Sequence, residues 1–221
     1  MRRNWKLTVF VRIPLCLILC SIALVTLLRW VPVRYTPVML KRAFQFRQEK
    51  NYRTEQEWVS LDDVSPELIK AVVLAEDQKF YSHHGFDWQE LHRMWASHRE
   101  EGAPIRGCST ISQQTAKNLF TFGTRTWLRK GVEAWWTILI ELLWGKDRIM
   151  EVYLNVVEMG RGIYGMQAAA LEYYSIPAID LTAKEAASLA VCLPAPLRCS
   201  PFRLSIAEQR RRSRILAKMN N

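Results

Sequence analysis

Sixteen consecutive uncharged residues, 13–28 (IPLCLILCSIALVTLL), constrain this chain more than any other feature. At 1.5 Å per residue they make about 24 Å of helix, short of a hydrocarbon core roughly 30 Å thick. Starting at Leu7 lengthens the helix to about 33 Å and takes in Arg12, whose side chain can snorkel to the headgroups. Trp5 and Trp30 flank the segment as interfacial anchors would. The alternative is a cleaved signal peptide. No small-x-small site follows Leu28, where the chain continues Arg-Trp-Val-Pro, and Leu19 before Cys20 makes a poor lipidation site. An uncleaved anchor over 7–28 is expected, with residues 1–6 on one side of a membrane. Arg2, Arg3, Lys6 and Arg12 balance Arg29, Arg34, Lys41 and Arg42 across it, so local charge does not orient the anchor.

Beyond the anchor, enough of the 221 residues remain for one medium domain with its own core. A composition 49% hydrophobic and 24% charged excludes a disordered chain. The formal charge of +10 sits at the ends. Residues 1–48 hold nine Lys/Arg and no carboxylate, and 203–218 hold six against Glu208, so the body over 49–202 is net acidic. That excludes a basic nucleic-acid-binding body. Beside an apolar span, basic ends point to anionic lipid headgroups. Cys16 and Cys20 lie in the span as small apolar residues. Cys108, Cys192 and Cys199 are an odd set without metal spacing; Cys192 and Cys199 could pair if the domain lies outside the cytoplasm, and the sequence leaves that open.

The body reads as helices, with no run of alternating strands. Residues 29–57 form a connector punctuated by Pro32 and Pro37. Ser65-Pro66-Glu67 caps and opens a helix to about Asp77 that buries Leu68, Ile69, Val72 and Val73. Asp87 caps 88–100, and Ser109 caps 110–120. Trp127 to Trp144 is apolar on most faces and predicts a central buried helix. Further helices are expected over 146–155 and 163–174. Thr182-x-x-Glu185 is a capping box before Ala-rich 183–193, and a basic amphipathic helix fills the C-terminal segment 203–221, around 205–219.

Three polar constellations interrupt this apolar pattern. Glu76-Asp77 ends an apolar helix and is followed by Phe80, His83, Gly85 and Asp87. Carboxylates there pay desolvation unless paired or functional; an exposed helix end with a local turn is the bland alternative. His83 and His84 raise a metal site, but adjacent histidines rarely share one ion and no HExxH or Cys partner exists, so a structural role is favoured. In 107–118 (GCSTISQQTAKN), Thr110, Gln114 and Lys117 are spaced by four and three. That spacing puts a hydroxyl, an amide and an ammonium on one helix face near an N-terminus, fit for anionic oxygens or simply solvated. Arg129, Lys130 and Glu133 open the long apolar helix. Arg129 and Glu133 can be a plain i,i+4 ion pair, yet a carboxylate among Val132, Ala134, Trp135 and Trp136 is expensive. Two carboxylates with three cations suit glycosyl chemistry with a phosphate leaving group.

The runs themselves resemble a known family. AEDQKFYSHHGFD, GCSTISQQTAKN, RKGVEA and KDRIMEVYLN are similar, in order, to the four leading motifs of family 51 peptidoglycan glycosyltransferases. GRGIYGMQAAALEYY and LPAPLRCSP resemble later landmarks, so the similarity covers about 58–202. With no room for a second catalytic domain, the chain resembles monofunctional members rather than bifunctional penicillin-binding proteins. The resemblance implies a mainly α, lysozyme-like glycosyltransferase domain with a membrane-dipping lobe. It also implies a single-pass protein of the cell inner membrane, N-terminus cytoplasmic and domain periplasmic.

Carried over by motif, Glu76 corresponds to the general base and Glu133 to a second essential glutamate that orients the donor or a diphosphate-bound cation. Lys117, Arg129 and Lys130 correspond to residues neutralising the diphosphate, and Thr110 and Gln114 to substrate-positioning residues. Asp77, Phe80, His83, Ser109, Gln113, Asn118, Glu151 and Asn155 support the motifs. The implied partners are lipid II, the growing glycan strand, the inner membrane and cell-division or elongation proteins, with no nucleic acid. A divalent Mg²⁺ or Mn²⁺ bound with the diphosphate is compatible with this, but the sequence shows no dedicated cage. Cys108, Trp144-Gly145 and Ser175-Ile176 depart from the commonest family pattern without removing a matched catalytic residue. Two rivals remain. A muramidase of similar fold needs no diphosphate clamp, and a non-catalytic scaffold needs neither glutamate.

Overall fold

The structure, a computed structural model, describes residues 8–50, 52–102, 109–122 and 127–220. Arg2, Arg3, Trp5, Lys6, Leu7, Gly107 and Cys108 lie outside the described residues. A π-helical turn, Thr8–Arg12, leads into α1 (Ile13–Leu28). Together they give a 20-residue apolar span, Val9–Leu28, with mean hydropathy 2.4. That is about 30 Å of helix, enough to cross a bilayer. Helix α2 (Pro37–Gln45) is capped by the Thr36 hydroxyl and starts on a proline. The body follows as α3 (Pro66–Glu76), α4 (Trp88–Glu101), α5 (Ile111–Phe120), α6 (Trp127–Leu143), α7 (Lys146–Val156), α8 (Met166–Tyr174), α9 (Ala183–Cys192) and α10 (Ile206–Met219).

The fold class is the expected one, and several details differ. Residues 163–174 are not all helix. Ile163–Tyr164 forms β3, the middle strand of a small sheet ordered β1-β3-β2 with β1 (Glu55–Gln56) parallel and β2 (Glu158–Gly160) antiparallel to it. Helix α8 starts only after Gly165, whose φ of +82° and close approach to the Asn155 carbonyl a side chain would block. Ser65 precedes α3 but does not cap it; its hydroxyl donates to the Leu181 carbonyl. Ile69 and Val73 are half-buried, while Ala71 joins Leu68 and Val72 in the core.

The largest difference concerns α6, which is not the central helix. Leu128 is 81% and Leu142 75% exposed, with Val132 and Ile138 also open on the same face. The centre belongs to α9, where Ala186 to Cys192 are all buried. Its alanines let α3 and α10 approach closely. Helix α9 ends at a Cys192–Cys199 disulfide. The anchor docks on α6 rather than standing apart: the Trp135 indole donates to the Ser21 hydroxyl at 3.3 Å and the Trp144 indole to the Val25 carbonyl at 2.8 Å. Arg148 of α7 closes the end of α1 by donating to the carbonyls of Leu28 and Val31, each at 2.7 Å.

Candidate functional site

Helix α3 delivers Glu76 as its last residue, and the chain leaves the helix at Asp77. Asp77 is buried, and its Oδ2 accepts from two donors: the Ile111 N–H at 3.0 Å and His83 Nε2 at 2.9 Å. His83 Nδ1 accepts from the Gly85 N–H at 3.1 Å, which leaves the ring proton on Nε2, facing Asp77. Both ring nitrogens of His83 are thus engaged within the motif. Gly85 adopts φ +89°, and a Cβ there would sit 2.9 Å from the Thr137 methyl. Its carbonyl accepts from the Thr110 hydroxyl at 2.7 Å. The 77–87 loop is thus stitched to the N-terminus of α5.

That N-terminus is capped by Thr110, not Ser109. The Thr110 hydroxyl accepts from the Gln113 N–H, and the Gln113 side chain accepts from the Thr110 N–H. Thr110 consequently stands outside the helix and buried, so it does not share a helical stripe with Gln114 and Lys117. The pattern Thr110-x-x-Gln113 is the sequence signal that marks Thr110 as the cap. One turn into α5, Gln114 Nε2 donates to Glu76 Oε2 at 2.9 Å. Tyr153 of α7 fixes which way that amide faces by donating from its hydroxyl to Gln114 Oε1 at 3.4 Å. Burial first, then the Glu76 and Asp77 charges, push the Tyr153 phenol well above its ordinary range, so it stays a donor.

Lys117 follows one turn later. Burial first, then the Arg129 and Lys130 charges, hold its ammonium below the ordinary lysine value, while Glu76 and Glu158 act in the opposite sense. Lys117 thus feels both the Glu76 carboxylate and the cations of α6. There Glu133 is 2% exposed and held by both neighbours on its helix, by Arg129 through Oε1 and by Lys130 at 3.2 Å through Oε2. Lys130 also donates to the Ser109 hydroxyl at 3.3 Å, tying α6 to the start of α5. The structure therefore brings together Glu76, Gln114, Lys117, Arg129, Lys130 and Glu133. A cleft of about 330 Å³ opens beside Glu76, lined also by Asp77, Lys79, Glu90, Ser109 and Thr110.

The remaining motif residues pack around this set. Phe80 is fully buried with the Lys146 ammonium 4.6 Å from its ring centroid, and Lys146 pairs with Glu141 at 2.7 Å. Asn155 donates to the carbonyls of Val59 and Glu151 and accepts from the Val59 N–H. Glu151 pairs with Arg148 at 2.8 Å, and Asn118 is buried within α5. Among the described residues no three His, Cys, Asp or Glu side chains gather where an ion could be held. Glu133 is already engaged by two cations, so this donor set fits phosphate oxygens rather than a resident Mg²⁺ or Mn²⁺. Two contributors were missed by sequence reasoning. Tyr153 sat unmarked in an apolar helix face. Arg211 of α10, 135 positions from Glu76, donates to the Ala75 carbonyl at 2.7 Å and approaches Glu76 Oε1 at 3.3 Å.

The Transglycosylase family model matches residues 42–220. The chain is 49% identical over 187 residues to a biosynthetic peptidoglycan transglycosylase of Rhodospirillum centenum, covering 85% of this chain and 79% of that protein. A protein of the same description from Haemophilus influenzae is 39% identical over 222 residues, covering 100% of this chain and 88% of its own length. Another, from Pseudomonas entomophila, is 46% identical over 187 residues, covering 84% and 78%.

Proposed function

Because this chain belongs to the transglycosylase family and is a peptidoglycan glycosyltransferase of mainly helical, lysozyme-like fold, we propose a division of labour within its site. Glu76 takes the proton from the 4-hydroxyl of the acceptor lipid II sugar as that oxygen attacks the anomeric carbon of the growing strand's terminal muramyl unit. Undecaprenyl diphosphate leaves from the opposite face, so an α-linked donor becomes a β-1,4 linkage. Lys117, Arg129 and Lys130 receive the diphosphate, whose charge on the departing oxygen grows in the transition state. Glu133 keeps Arg129 and Lys130 pre-oriented between turnovers. Thr110, through its cap, sets the start of α5 and with it Gln114.

The observation that carries this reading is the pairing of environments around one helix. Gln114 of α5 holds the carboxylate base, and Lys117, one turn on, belongs to a cation cluster suited to a departing diphosphate. A muramidase would need the carboxylates but not the cluster. Purified full-length protein given lipid II should yield polymeric glycan and stoichiometric undecaprenyl diphosphate, and should leave finished glycan intact. Cleavage of finished glycan without polymer would overturn the assignment.

The apolar helix Val9–Leu28 anchors the chain at a membrane. We place the catalytic domain on the periplasmic face of the inner membrane, with the N-terminus cytoplasmic. The Cys192–Cys199 disulfide supports this side, since such bonds persist in oxidising compartments. The open apolar face of α6, on the helix that docks the anchor, would rest in the outer leaflet. Thiol labelling of unbroken cells tests the orientation. Cys192 and Cys199 should react with an impermeant maleimide only after reduction, and no labelling of these two positions with or without a reductant, in a preparation where opened cells do label, would reverse the orientation.

A further inference from the structure

Apart from Arg211, the residues of the site described above lie between positions 76 and 155. Helix α10 lies well beyond, and it enters the site. Its capping box, Ser205 with Glu208, fixes the start, and buried Ile215 and Met219 seat it against the body. Independent ties hold it along its length. Arg212 donates to the Ser188 hydroxyl at 3.3 Å, Lys218 to the Gln78 side chain at 2.9 Å, and the Lys70 ammonium to the Met219 carbonyl. From this seated helix Arg211 reaches α3, where one guanidinium nitrogen meets both the Ala75 carbonyl and Glu76 Oε1. Ala75 belongs to the last turn of α3, whose carbonyls have no partner within the helix.

We propose that Arg211 is a positioning residue for the base. It holds Glu76 Oε1 while Gln114 holds Oε2, so two helices far apart in sequence fix the carboxylate and leave its remaining lone pairs toward the cleft. A carboxylate offers about four lone-pair sites, and the two contacts occupy one on each oxygen. The Arg211 side chain is 32% exposed, so solvent screens its charge and its effect is chiefly geometric. A guanidinium can satisfy the carbonyl and the carboxylate together, whereas an ammonium is a single mobile point. The basic helix therefore has two jobs: its outer cations, Arg210 and Arg214, face solvent, while Arg211 turns inward.

The proposal rests on the assignment of Glu76 as base, and two readouts keep the questions apart. In full-length protein with lipid II, Arg211→Ala should lower kcat about ten- to a hundredfold, the range for losing a hydrogen bond to a charged group. KM should stay within about twofold, since a group that only aims the base adds no ground-state binding. Arg211→Lys should recover part of the loss. Arg214→Ala, which removes the same charge from the outer face, should behave as the parent. Melting temperatures should match throughout. An unchanged kcat, a loss confined to KM, an equal loss in Arg214→Ala, or a loss that tracks melting temperature would each overturn the proposal. The second readout needs no turnover: a crystal structure of Arg211→Gln should show the Glu76 carboxylate rotated away from Gln114. A carboxylate still on Gln114 overturns the proposal even if the reaction assigned to Glu76 is itself wrong.

Discussion

The two glutamates of the site occupy opposite kinds of environment. The Glu76 side chain is 11% exposed, ends a helix, borders the cleft and meets one amide and one half-open guanidinium. The Glu133 side chain is 3% exposed, sits inside a helix and is gripped by two cations from its own preceding turn. A base needs lone pairs facing the substrate, whereas an organiser of cations needs them spent. The two environments therefore suit the two roles we propose, because one carboxylate is partly open and the other is closed.

The sharpest break of that contrast is Glu76→Gln. The amide keeps the shape and can still meet Gln114, but it accepts no proton. General-base catalysis contributes roughly 10²–10⁴-fold, so polymerisation should fall by at least that order while the melting temperature holds. A mutant with near-parental turnover would move the base elsewhere. Glu133→Gln should instead change both readings, since it leaves Arg129 and Lys130 without their shared counter-charge.

What the sequence made legible follows the same division. Some groups that act within one element could be placed from spacing alone, although Thr110 proved to be the cap of α5 rather than part of its stripe. Gln114 and Lys117 sit one turn apart on α5, Arg129 and Glu133 one turn apart on α6, and Thr182 with Glu185 forms the expected box. Groups that act across elements could not. Arg211 in a run of three arginines carries no mark that distinguishes it from Arg210 or Arg212, and only folding puts it beside Ala75 and Glu76. The burial of α6 was misjudged for a related reason. An all-round apolar helix signals low polarity on every side, and periodicity cannot separate a protein neighbour from an open face such as Leu128, Val132 and Leu142. Helix α9 was underrated because alanines look unremarkable until close helix contact makes small size the point.

The next test separates function from stability on the cation side. Lys117 is a half-buried ammonium whose pKa is lowered first by desolvation and then by two neighbouring cations. In the absence of ligand it therefore costs folding energy. Lys117→Met keeps the length and removes the charge. Turnover should fall about 10²–10³-fold, as when one electrostatic stabiliser of a transition state is lost, while the melting temperature at neutral pH should rise. The pH dependence has a fixed sign. A lysine lowered in the folded state carries its full penalty below that lowered pKa, and sheds it as pH rises toward the unfolded value. The stability gap between variant and parent should thus narrow on the alkaline side. A destabilised Lys117→Met protein, or a gap that widens with pH, would mean that Lys117 is a structural cation.

The smallest effect probes the seam between the two environments. Ser109 lies just before the α5 cap, and its hydroxyl accepts from Lys130 at 3.3 Å while its carbonyl lies 3.4 Å from Gln114 Nε2. One residue therefore touches the amide that holds Glu76 and a cation that holds Glu133. Ser109→Ala removes only the hydroxyl and leaves the carbonyl, so the base side should be untouched. Lys130 is half exposed and retains Glu133, which limits the loss to one solvent-screened bond. A typical net value of about 0.5–1.5 kcal/mol predicts a fall in turnover of about threefold, with more of it seen at high salt, where Lys130 is held less firmly by charge alone. The melting temperature should not move, since Thr110 and Gln113 carry the cap without Ser109. A loss as large as that of Glu76→Gln would show that the seam, rather than either glutamate's own shell, sets the geometry of the site.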